Sequence, residues 1–356
     1  MNGLVLPATA MMWVGLSVSP ASQRHAEDQP VSRIQRQLPA TRSSNQQPAP
    51  SGVVVTDTFW SQALGIRKRL LVWLPPSYAS QPGRRFPVAY YLHGAWGDET
   101  NWTMQGRLDA TLDSLVAAGM PEMIVVMPDG DDGFYTTWNS LGDYAACRRA
   151  SPPARRDGES VDTYCVPWPH YDDYIARDLV AFVDRSYRSL AERRHRGIAG
   201  LSMGGFGAVT LALAYPDVFA AAASHSGVLA PSRGTARAPV PTDRFDPQSI
   251  RASYGDGFWV GLATIFGKDS VAWAARDPGR LAARLLSRTK DLMPALRVDC
   301  GVDDPFLVQS RAFRDAALAL AIPLNYAEHP GSHTWDYWRR QAAGSAEWLA
   351  RQLSVP

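Results

Sequence analysis

The glycine-rich stretch at residues 200–205, Gly-Leu-Ser-Met-Gly-Gly, constrains the fold more than any other part of the sequence. The short apolar run at 197–199 predicts a buried strand before it, and the Ala- and Leu-rich run at 206–215 predicts a helix after it. A Gly-x-Ser-x-Gly sequence at a strand-to-helix junction is typical of a nucleophile elbow, because small residues allow a sharp turn that exposes the serine hydroxyl. The pattern therefore predicts Ser202 as a nucleophile. The alternative is a glycine-rich turn that happens to contain a serine.

A serine hydroxyl is a weak nucleophile at neutral pH, so a general base and an orienting acid are expected elsewhere in the chain. After a nucleophile elbow the acid comes first along the chain and the histidine second. Residues 296–301 predict a strand that ends in an acidic loop, and residues 323–328 predict a strand followed by the loop that carries His333. Loops after parallel strands meet at one sheet edge, so both loops are expected beside Ser202.

Each partner has competitors. His333 lies in a Gly/Ser loop and is preferred to His329, which ends an apolar strand, while His225 precedes the acid and suits a structural or pocket-wall role. The residues alone do not decide whether Asp303 or Asp304 is the orienting acid. The alternative to a base and an acid is that His333 is an ordinary surface histidine and that the aspartate is a solvated loop residue.

The run at 86–92 predicts another buried strand, and it ends at the sequence His-Gly-Ala-Trp-Gly. A glycine-rich loop in this place supplies the second backbone N–H of an oxyanion hole, the first being that of the residue after the nucleophile. The sequence therefore predicts Met203 and Ala95 as the two donors. The tryptophans near this edge are candidate pocket walls, with core packing as the alternative: Trp96, Trp138 and Trp335.

Strands alternate with helices along most of the chain, which predicts an α/β fold with a mostly parallel central sheet and helices on both faces. Residues 228–292 interrupt the alternation after the sixth strand. We expect a small cap there that carries Trp259 and Phe266 over the active edge, the alternative being a distant decoration. The acidic loop Asp131-Asp132-Gly133 lacks the glutamate of a calcium loop and is interpreted as a solvated turn.

The ends of the chain and its cysteines bear on localisation. Residues 1–21 contain an apolar run that predicts an export signal, although no basic segment precedes it, and the alternative is a disordered or mis-started N-terminus. Residues 22–52 predict a disordered linker before a catalytic domain at 53–356. Cys147 and Cys165 suit a disulfide formed in an oxidising compartment, with two free thiols in a cytosolic protein as the alternative, and Cys300 suits a buried thiol. No other segment is apolar enough to span a membrane.

Together these motifs resemble the esterase D-like branch of the α/β-hydrolases, which includes S-formylglutathione hydrolases, feruloyl and acetyl-xylan esterases and mycolyltransferases. The resemblance runs from about residue 53 to residue 353, and it rests on five segments of the sequence: 91–94, 171–179, 200–205, 301–307 and 331–335. It implies an α/β-hydrolase fold with Ser202 as nucleophile, His333 as base and Asp304, in preference to Asp303, as acid. It also supports Met203 and Ala95 as oxyanion donors.

The resemblance implies a serine carboxylic-ester hydrolase that forms an acyl-enzyme and needs neither a metal nor an organic cofactor. An acyltransferase with the same three residues is the nearest alternative, and a non-catalytic binding protein on a hydrolase fold is the second. We expect a small-molecule or sugar-linked ester as the partner. A net charge of only +2, with arginines scattered along the chain, gives no indication of nucleic-acid binding.

Overall fold

The computed structural model describes residues 51–149, 160–241 and 245–354. The predicted export signal and all but the last two residues of the predicted linker lie outside this part of the chain. The described residues from 51 onward belong to one unit, which the chain's contacts delimit at Pro48–Pro356.

An eight-stranded sheet forms the centre of the unit, with the strand order β1-β2-β4-β3-β5-β6-β9-β10. The first two strands pair antiparallel, β2 pairs antiparallel with β4, and the remaining pairs are parallel. A short two-stranded ribbon stands apart from the sheet. The strands are β1 Val53–Ser61, β2 Ile66–Leu74, β3 Val88–Leu92, β4 Ile124–Pro128, β5 Arg196–Leu201, β6 Ala221–His225, the ribbon strands β7 Gly234–Thr235 and β8 Ala238–Pro239, β9 Ala295–Gly301 and β10 Leu324–His329.

Helices cover both faces of this sheet. They are α1 Ser77–Ser80, α2 Asn101–Met104, α3 Leu108–Ala117, α4 Tyr144–Arg149, α5 Tyr171–Asp173, α6 Val180–Ser186, α7 Met203–Ala214, α8 Pro247–Tyr254, α9 Asp256–Phe266, α10 Ser270–Arg276, α11 Pro278–Arg288, α12 Leu307–Ala319 and α13 Trp335–Leu353. Between α5 and α6 the chain forms a π-helical segment, Tyr174–Leu179. The predicted α/β-hydrolase fold, with a mostly parallel sheet and an insertion after the sixth strand, is confirmed.

Alternation along the central strands divides the core into two layers. In β3, Tyr90 belongs to the larger apolar cluster with α6 and α7, whereas its neighbour Tyr91 belongs to the smaller cluster with α3 and α13. Successive side chains of a strand point to opposite faces, so a fully buried strand supplies both layers at once. The five residues of β3 are all buried, which fixes this strand in the middle of the sheet.

The disulfide expected from the sequence is present between Cys147 and Cys165, whose Cα atoms are 5.7 Å apart. Cys300 is a buried free thiol, and burial raises its pKa to about 12. Within the described part of the chain no helix combines the length and apolar character needed to cross a lipid bilayer.

Candidate active site

The backbone at the end of β5 makes a strained turn. Ser202 has φ 53° and ψ −117°, a region that L-residues rarely occupy, and it directly precedes the first turn of α7. Its N–H donates to the carbonyl oxygen of His225 at the end of β6, at 2.9 Å. This hydrogen bond between neighbouring strand ends holds the turn in place, and the Ser202 side chain is left at the rim of the sheet.

The glycines of the elbow are required by close packing. A Cβ on Gly204 would lie 2.3 Å from the carbonyl oxygen of Leu92, and one on Gly200 would lie 2.3 Å from the carbonyl oxygen of Gly204. No side chain fits at such distances from backbone atoms. The start of α7 can therefore pack directly against the end of β3 only because these positions carry glycine.

Three side chains meet at this edge of the sheet. Ser202 Oγ lies 3.0 Å from Nε2 of His333, and Nδ1 of the same imidazole lies 2.9 Å from Asp304 Oδ2. Because a carboxylate can only accept, Nδ1 carries the proton and Nε2 is free to accept the serine hydroxyl proton. Ser202 and His333 are the residues that the sequence selected as nucleophile and base, and Asp304 is the acid that the family resemblance favoured over Asp303.

Asp304 is held at the end of β9 by its own loop. It is buried, and its Oδ1 accepts the N–H of Phe306 at 2.8 Å, whereas Asp303 is exposed. The imidazole of His333 is partly exposed and is flanked edge-on by two rings, Phe306 at 5.0 Å and Trp338 at 4.8 Å between centroids. Trp338 was not selected from the sequence. Its position one helical turn into α13, after the His333 loop, is the signal that could have identified it.

The competing histidines lie outside this group of three side chains. His329 is the last residue of β10. His225 is completely buried, and its Nδ1 lies 2.9 Å from Asp299 Oδ2 while its Nε2 lies 2.9 Å from Ser345 Oγ. The core thus contains a second Ser-His-Asp arrangement, which accepts a further hydrogen bond from Tyr337. With all three of its members buried, this arrangement serves packing behind the elbow, in line with the structural role expected for His225.

The loop after β3 runs beside the nucleophile. A Cβ on Gly94 would lie 3.4 Å from the Cβ of Ser202, so the backbone that leads to Ala95 passes next to the serine. Among the described residues the N–H of Ala95 has no hydrogen-bond acceptor. Met203 is the first residue of α7, where backbone N–H groups have no intrahelical partner. Met203 thus follows Ser202 directly, and the backbone that leads to Ala95 passes beside the serine.

The three tryptophans predicted to line a pocket differ in their surroundings. Trp96 is 80% exposed and meets Phe258 of α9 edge-on, at 5.8 Å between ring centroids. Trp138 stacks on Tyr171 at 5.8 Å. Trp335 packs between Trp102 and Trp338, at 5.7 and 5.2 Å. Of the three, only Trp96 presents most of its surface to solvent.

The loop after β4 is tied to the core by a buried lysine, so its interpretation as a solvated turn is wrong. Lys68 Nζ lies 3.0 Å from Asp129 Oδ2 and 2.9 Å from Asp131 Oδ2, and the lysine side chain is fully buried. Burial would lower the pKa of Lys68, but the two carboxylates outweigh it and raise that pKa. Burial likewise opposes ionisation of Asp129, yet Lys68 holds the pKa of that carboxyl well below its usual range.

The same loop is further fixed by two tyrosines of the helix that leads to the elbow. Tyr171 donates to Asp131 Oδ2 at 2.8 Å, and Tyr174 donates to the carbonyl oxygen of Asp129 at 2.9 Å. Burial, followed by the neighbouring aspartates, raises the pKa of Tyr174 well above its ordinary value. The two tyrosines are three residues apart on a helix and thus share one face. Their hydroxyl groups act as neutral donors to a loop that carries negative charge.

The insertion after β6 reaches the active edge through residues other than those expected. Phe258 contacts Trp96 and lies 6.2 Å from Phe134, and Tyr254 lies 6.3 Å from Phe306, the ring beside His333. Phe266 is buried in the main core. Trp259 stacks on Trp273 within the insertion, at 6.1 Å. Helices α8 and α9 therefore lie beside the site, but through Tyr254 and Phe258.

One group in the described residues has the composition of a metal site. Ligand atoms of His170, Asp172 and Asp173 lie within 4.8 Å of one another. The Thr137 hydroxyl donates to Asp172 at 2.6 Å and is hydrogen-bonded to His170 at 3.1 Å, and Tyr215 donates to Asp173 at 3.0 Å. Protein donors thus already bind both carboxylates, and none of these residues belongs to the Ser202 site.

The family model described as putative esterase matches residues 61–349, which include the elbow and the loops of Asp304 and His333. An acetyl esterase from Caldicellulosiruptor saccharolyticus is 23% identical over 304 residues, which make up 82% of this chain and 96% of that protein. Esterase Rv1288 from Mycobacterium tuberculosis is 27% identical over 299 residues, or 78% of this chain, but the match spans only 55% of the mycobacterial protein.

A solved structure titled ferulic acid esterase is similar over 85% of this chain and 99% of its own length, with 25% identity and a TM-score of 0.61. Its overlap extends over nearly the whole described unit. The fold and the sequence matches thus concern the same part of the chain.

Proposed function

Because this chain belongs to the putative esterase family, we propose that it is a serine carboxylic-ester hydrolase that acts through a covalent acyl-enzyme. The observation that carries the proposal is the pair of contacts from His333 to Ser202 Oγ and to Asp304, at 3.0 and 2.9 Å. A base within hydrogen-bond reach of the nucleophile, itself oriented by a buried carboxylate, is the arrangement that activates a serine hydroxyl.

In the first half-reaction, Ser202 Oγ attacks the carbonyl carbon of the ester while His333 Nε2 takes the hydroxyl proton. The carbonyl oxygen becomes an oxyanion, which accepts hydrogen bonds from the N–H groups of Met203 and Ala95. Each such donor can stabilise the tetrahedral intermediate by about 3 kcal/mol. Collapse of the intermediate breaks the bond to the alcohol, which leaves with the proton from Nε2.

In the second half-reaction, water enters beside the acyl-enzyme and His333 Nε2 takes one of its protons. A second tetrahedral intermediate forms in the same oxyanion hole and releases the carboxylic acid, and Ser202 recovers its proton. Asp304 accepts from Nδ1 throughout, so it favours the imidazolium that forms in each half-reaction.

Replacement of the nucleophile tests the proposal. We expect the purified chain to hydrolyse 4-nitrophenyl acetate and to be labelled by an organophosphonate, and Ser202→Ala to lose the labelling and at least about 10⁴-fold in kcat. Ser114→Ala, a change on the exposed face of α3, is the matched control and should retain both. A wild-type chain that is neither labelled nor hydrolytic would instead favour the non-catalytic binding protein.

The deacylation step decides between hydrolysis and acyl transfer. An acyltransferase would use the same three residues, with a sugar or glycerol hydroxyl in place of water. Product partition measured with and without glycerol or trehalose separates the two: hydrolysis predicts that the free acid remains the main product when the acceptor is present.

We further propose that the substrate carries an aromatic or sugar-linked group and that the protein is exported. The exposed ring of Trp96 and the rings of Phe258 and Tyr254 beside the site support the first proposal. The apolar N-terminal run and the disulfide support the second. A screen of 4-nitrophenyl esters alongside methyl ferulate tests the former, and detection of a processed N-terminus outside the cytoplasm by mass spectrometry tests the latter.

A further inference from the structure

The loop between β3 and α2, residues 93–100, is called here the oxyanion loop. It contains a turn that its own sequence does not favour. The N–H of Gly97 donates to the carbonyl oxygen of Gly94 at 3.2 Å, which closes a four-residue β-turn. Trp96, the third residue of this turn, has φ 62°. Ala95, the second residue, does not have a positive φ, so the turn is of type II. The third position of such a turn normally requires glycine, so a tryptophan there is strained. Some other interaction must hold this turn.

That interaction comes from the loop after β4. Asp132 Oδ1 accepts the N–H of Trp96 at 2.6 Å. The alternative turn, with negative φ at Trp96, would rotate the peptide group between Ala95 and Trp96 by about half a turn. Its N–H would then point away from Asp132, and the carbonyl oxygen of Ala95 would face the carboxylate instead. Asp132 therefore stabilises the observed orientation of this peptide group, and in the alternative orientation its carboxylate would repel the carbonyl oxygen of Ala95.

The residues that precede Asp132 are themselves fixed. The N–H of Asp131 donates to Asp129 Oδ1 at 2.9 Å, and both of these aspartates bind the buried ammonium group of Lys68. The two loops also meet at a second point, because the N–H of Gly130 donates to Nε2 of His93 at 2.8 Å. The oxyanion loop is thus attached to the β4 loop at its first residue, His93, and again at the strained Trp96.

These contacts bear on catalysis because Ala95 lies between the two attachment points. We propose that Asp132 is a positioning residue for the oxyanion hole: by holding the N–H of Trp96 it fixes the backbone directly after Ala95, so that the N–H of Ala95, which belongs to the preceding peptide group, stays in place for the carbonyl oxygen of the substrate. The inference rests on the proposed serine-esterase function. It assigns to Asp132 no contact with substrate.

Removal of the carboxylate should impair the chemical steps rather than substrate binding. Asp132→Ala is expected to lower kcat for 4-nitrophenyl acetate by about 10- to 100-fold, with KM changed by less than about 3-fold, since complete loss of one oxyanion donor costs about 10²- to 10³-fold. Asp132→Asn retains an oxygen that can accept the Trp96 N–H, so its kcat should stay within about 5-fold of wild type. Affinity for a trifluoromethyl ketone, whose adduct carries an oxyanion, should fall with kcat.

A glycine background separates the turn from other effects of Asp132. Glycine adopts the positive φ without strain, so Asp132→Ala introduced into Trp96→Gly should lower kcat by less than about 3-fold relative to Trp96→Gly alone. Asp98→Ala is the matched control in the same loop, because its carboxylate accepts the N–H of Thr100 rather than that of the turn. It should keep kcat within about 3-fold of wild type. Melting curves of every variant establish that each is folded.

Several results would overturn the inference. These are an unchanged kcat in Asp132→Ala, an equal loss in the wild-type and Trp96→Gly backgrounds, a loss in Asp132→Asn as large as in Asp132→Ala, or an equal loss in Asp98→Ala. Failure of the proposed function is distinguishable from all of them, because then the wild-type chain itself would show neither hydrolysis nor organophosphonate labelling.

Discussion

Lys68 shows how one buried charge can organise a loop at the rim of a site. The other two lysines of the chain, Lys268 and Lys290, are exposed, whereas the Lys68 side chain is fully buried and its ammonium group lies between two carboxylates. The regular alternation of β2 places Lys68 on the same face as the buried Ile66 and Leu70. The sequence could therefore have indicated a core-facing lysine. It could not name the partners, because Asp129 lies 61 residues away.

The choice between Asp303 and Asp304 as the acid also depends on contacts that the sequence does not show. Adjacent aspartates in a loop have identical chemistry, so the residues alone left Asp303 and Asp304 equivalent, and only the family spacing favoured the second. In the structure, Asp304 is buried and contacts His333, and Asp303 is exposed. The difference arises from the direction of the chain after β9, which depends on tertiary packing.

Substitution of the buried lysine should destabilise the protein. Lys68→Met leaves Asp129 and Asp131 buried without their cation, which is expected to cost about 3–5 kcal/mol in the free energy of unfolding. Lys268→Met removes an exposed lysine and should change stability by less than about 0.5 kcal/mol. Urea unfolding followed by circular dichroism measures both. Equal stabilities of the two variants would contradict a structural role for the Lys68 charge.

The contacts of Lys68 with Asp129 and Asp131 also predict how the stability of the protein depends on pH. Because the pKa of Asp129 is lower in the folded chain than its ordinary value of 3.8, its contribution to stability is complete above that value and is lost as the pH falls below it. In Lys68→Met this depression is removed. The gap in Tm between wild type and Lys68→Met should therefore narrow from pH 7 to pH 3, and the gap between wild type and Lys268→Met should stay constant. A gap that widens toward pH 3 would refute the assignment.

At the scale of elements, the helices of the insertion were the least predictable part of the described chain. Residues 259–275 have helical character as a single run of sequence, whereas the structure has α9 and α10 separated at Gly267, whose φ is 88°. The sequence did not indicate α8, although Asp246 caps that helix and Pro247 begins it. These are ordinary start and stop signals, but they lie in a Pro- and Arg-rich run without clear apolar periodicity.

Helix α9 should influence substrate preference through Phe258. The Phe258 ring meets Trp96 edge-on and stacks on Tyr254 at 5.6 Å, and such aromatic contacts are worth about 0.5–1.5 kcal/mol. Phe258→Ala should therefore raise KM for methyl ferulate by about 3- to 10-fold and affect methyl butyrate less. Val260→Ala, at a residue of the same helix that is 67% exposed, is the control. An equal change for both esters would exclude an aromatic subsite on α9.

At the scale of the whole molecule, the sequence predicts which loops meet at the carboxyl-terminal edge of the sheet, but it does not predict the order of the strands. Alternating strands and helices predicted a parallel sheet, and the common edge of its carboxyl ends predicted which loops would meet. The order β1-β2-β4-β3-β5-β6-β9-β10 depends on pairing between distant segments, such as β3 with β5, which no local pattern reveals. Local patterns were sufficient to predict that Ser202 and His333 and the loop of Asp304 lie at one edge of the sheet, because each follows a strand of that sheet.

The disulfide should contribute to global stability. It joins cysteines 18 positions apart, and closing a loop of this length corresponds to about 3 kcal/mol of lost unfolded-chain entropy. We expect a reducing agent to lower the Tm of the wild-type chain and to have no effect on the double variant Cys147→Ser, Cys165→Ser, which should melt at the temperature of the reduced wild type. An unchanged Tm, with two newly titratable thiols, would contradict this contribution.

The internal set formed by Ser345, His225 and Asp299 has a consequence for recognising enzymes by template. A search for three side chains at hydrogen-bonding distances would return this chain twice, with nearly equal geometry at both places. Within the residues that the structure describes, the interior copy is fully enclosed, so a reactant could not arrive there. Accessibility, rather than the constellation itself, distinguishes a working centre from its mimic, and a template that ignores it will count both.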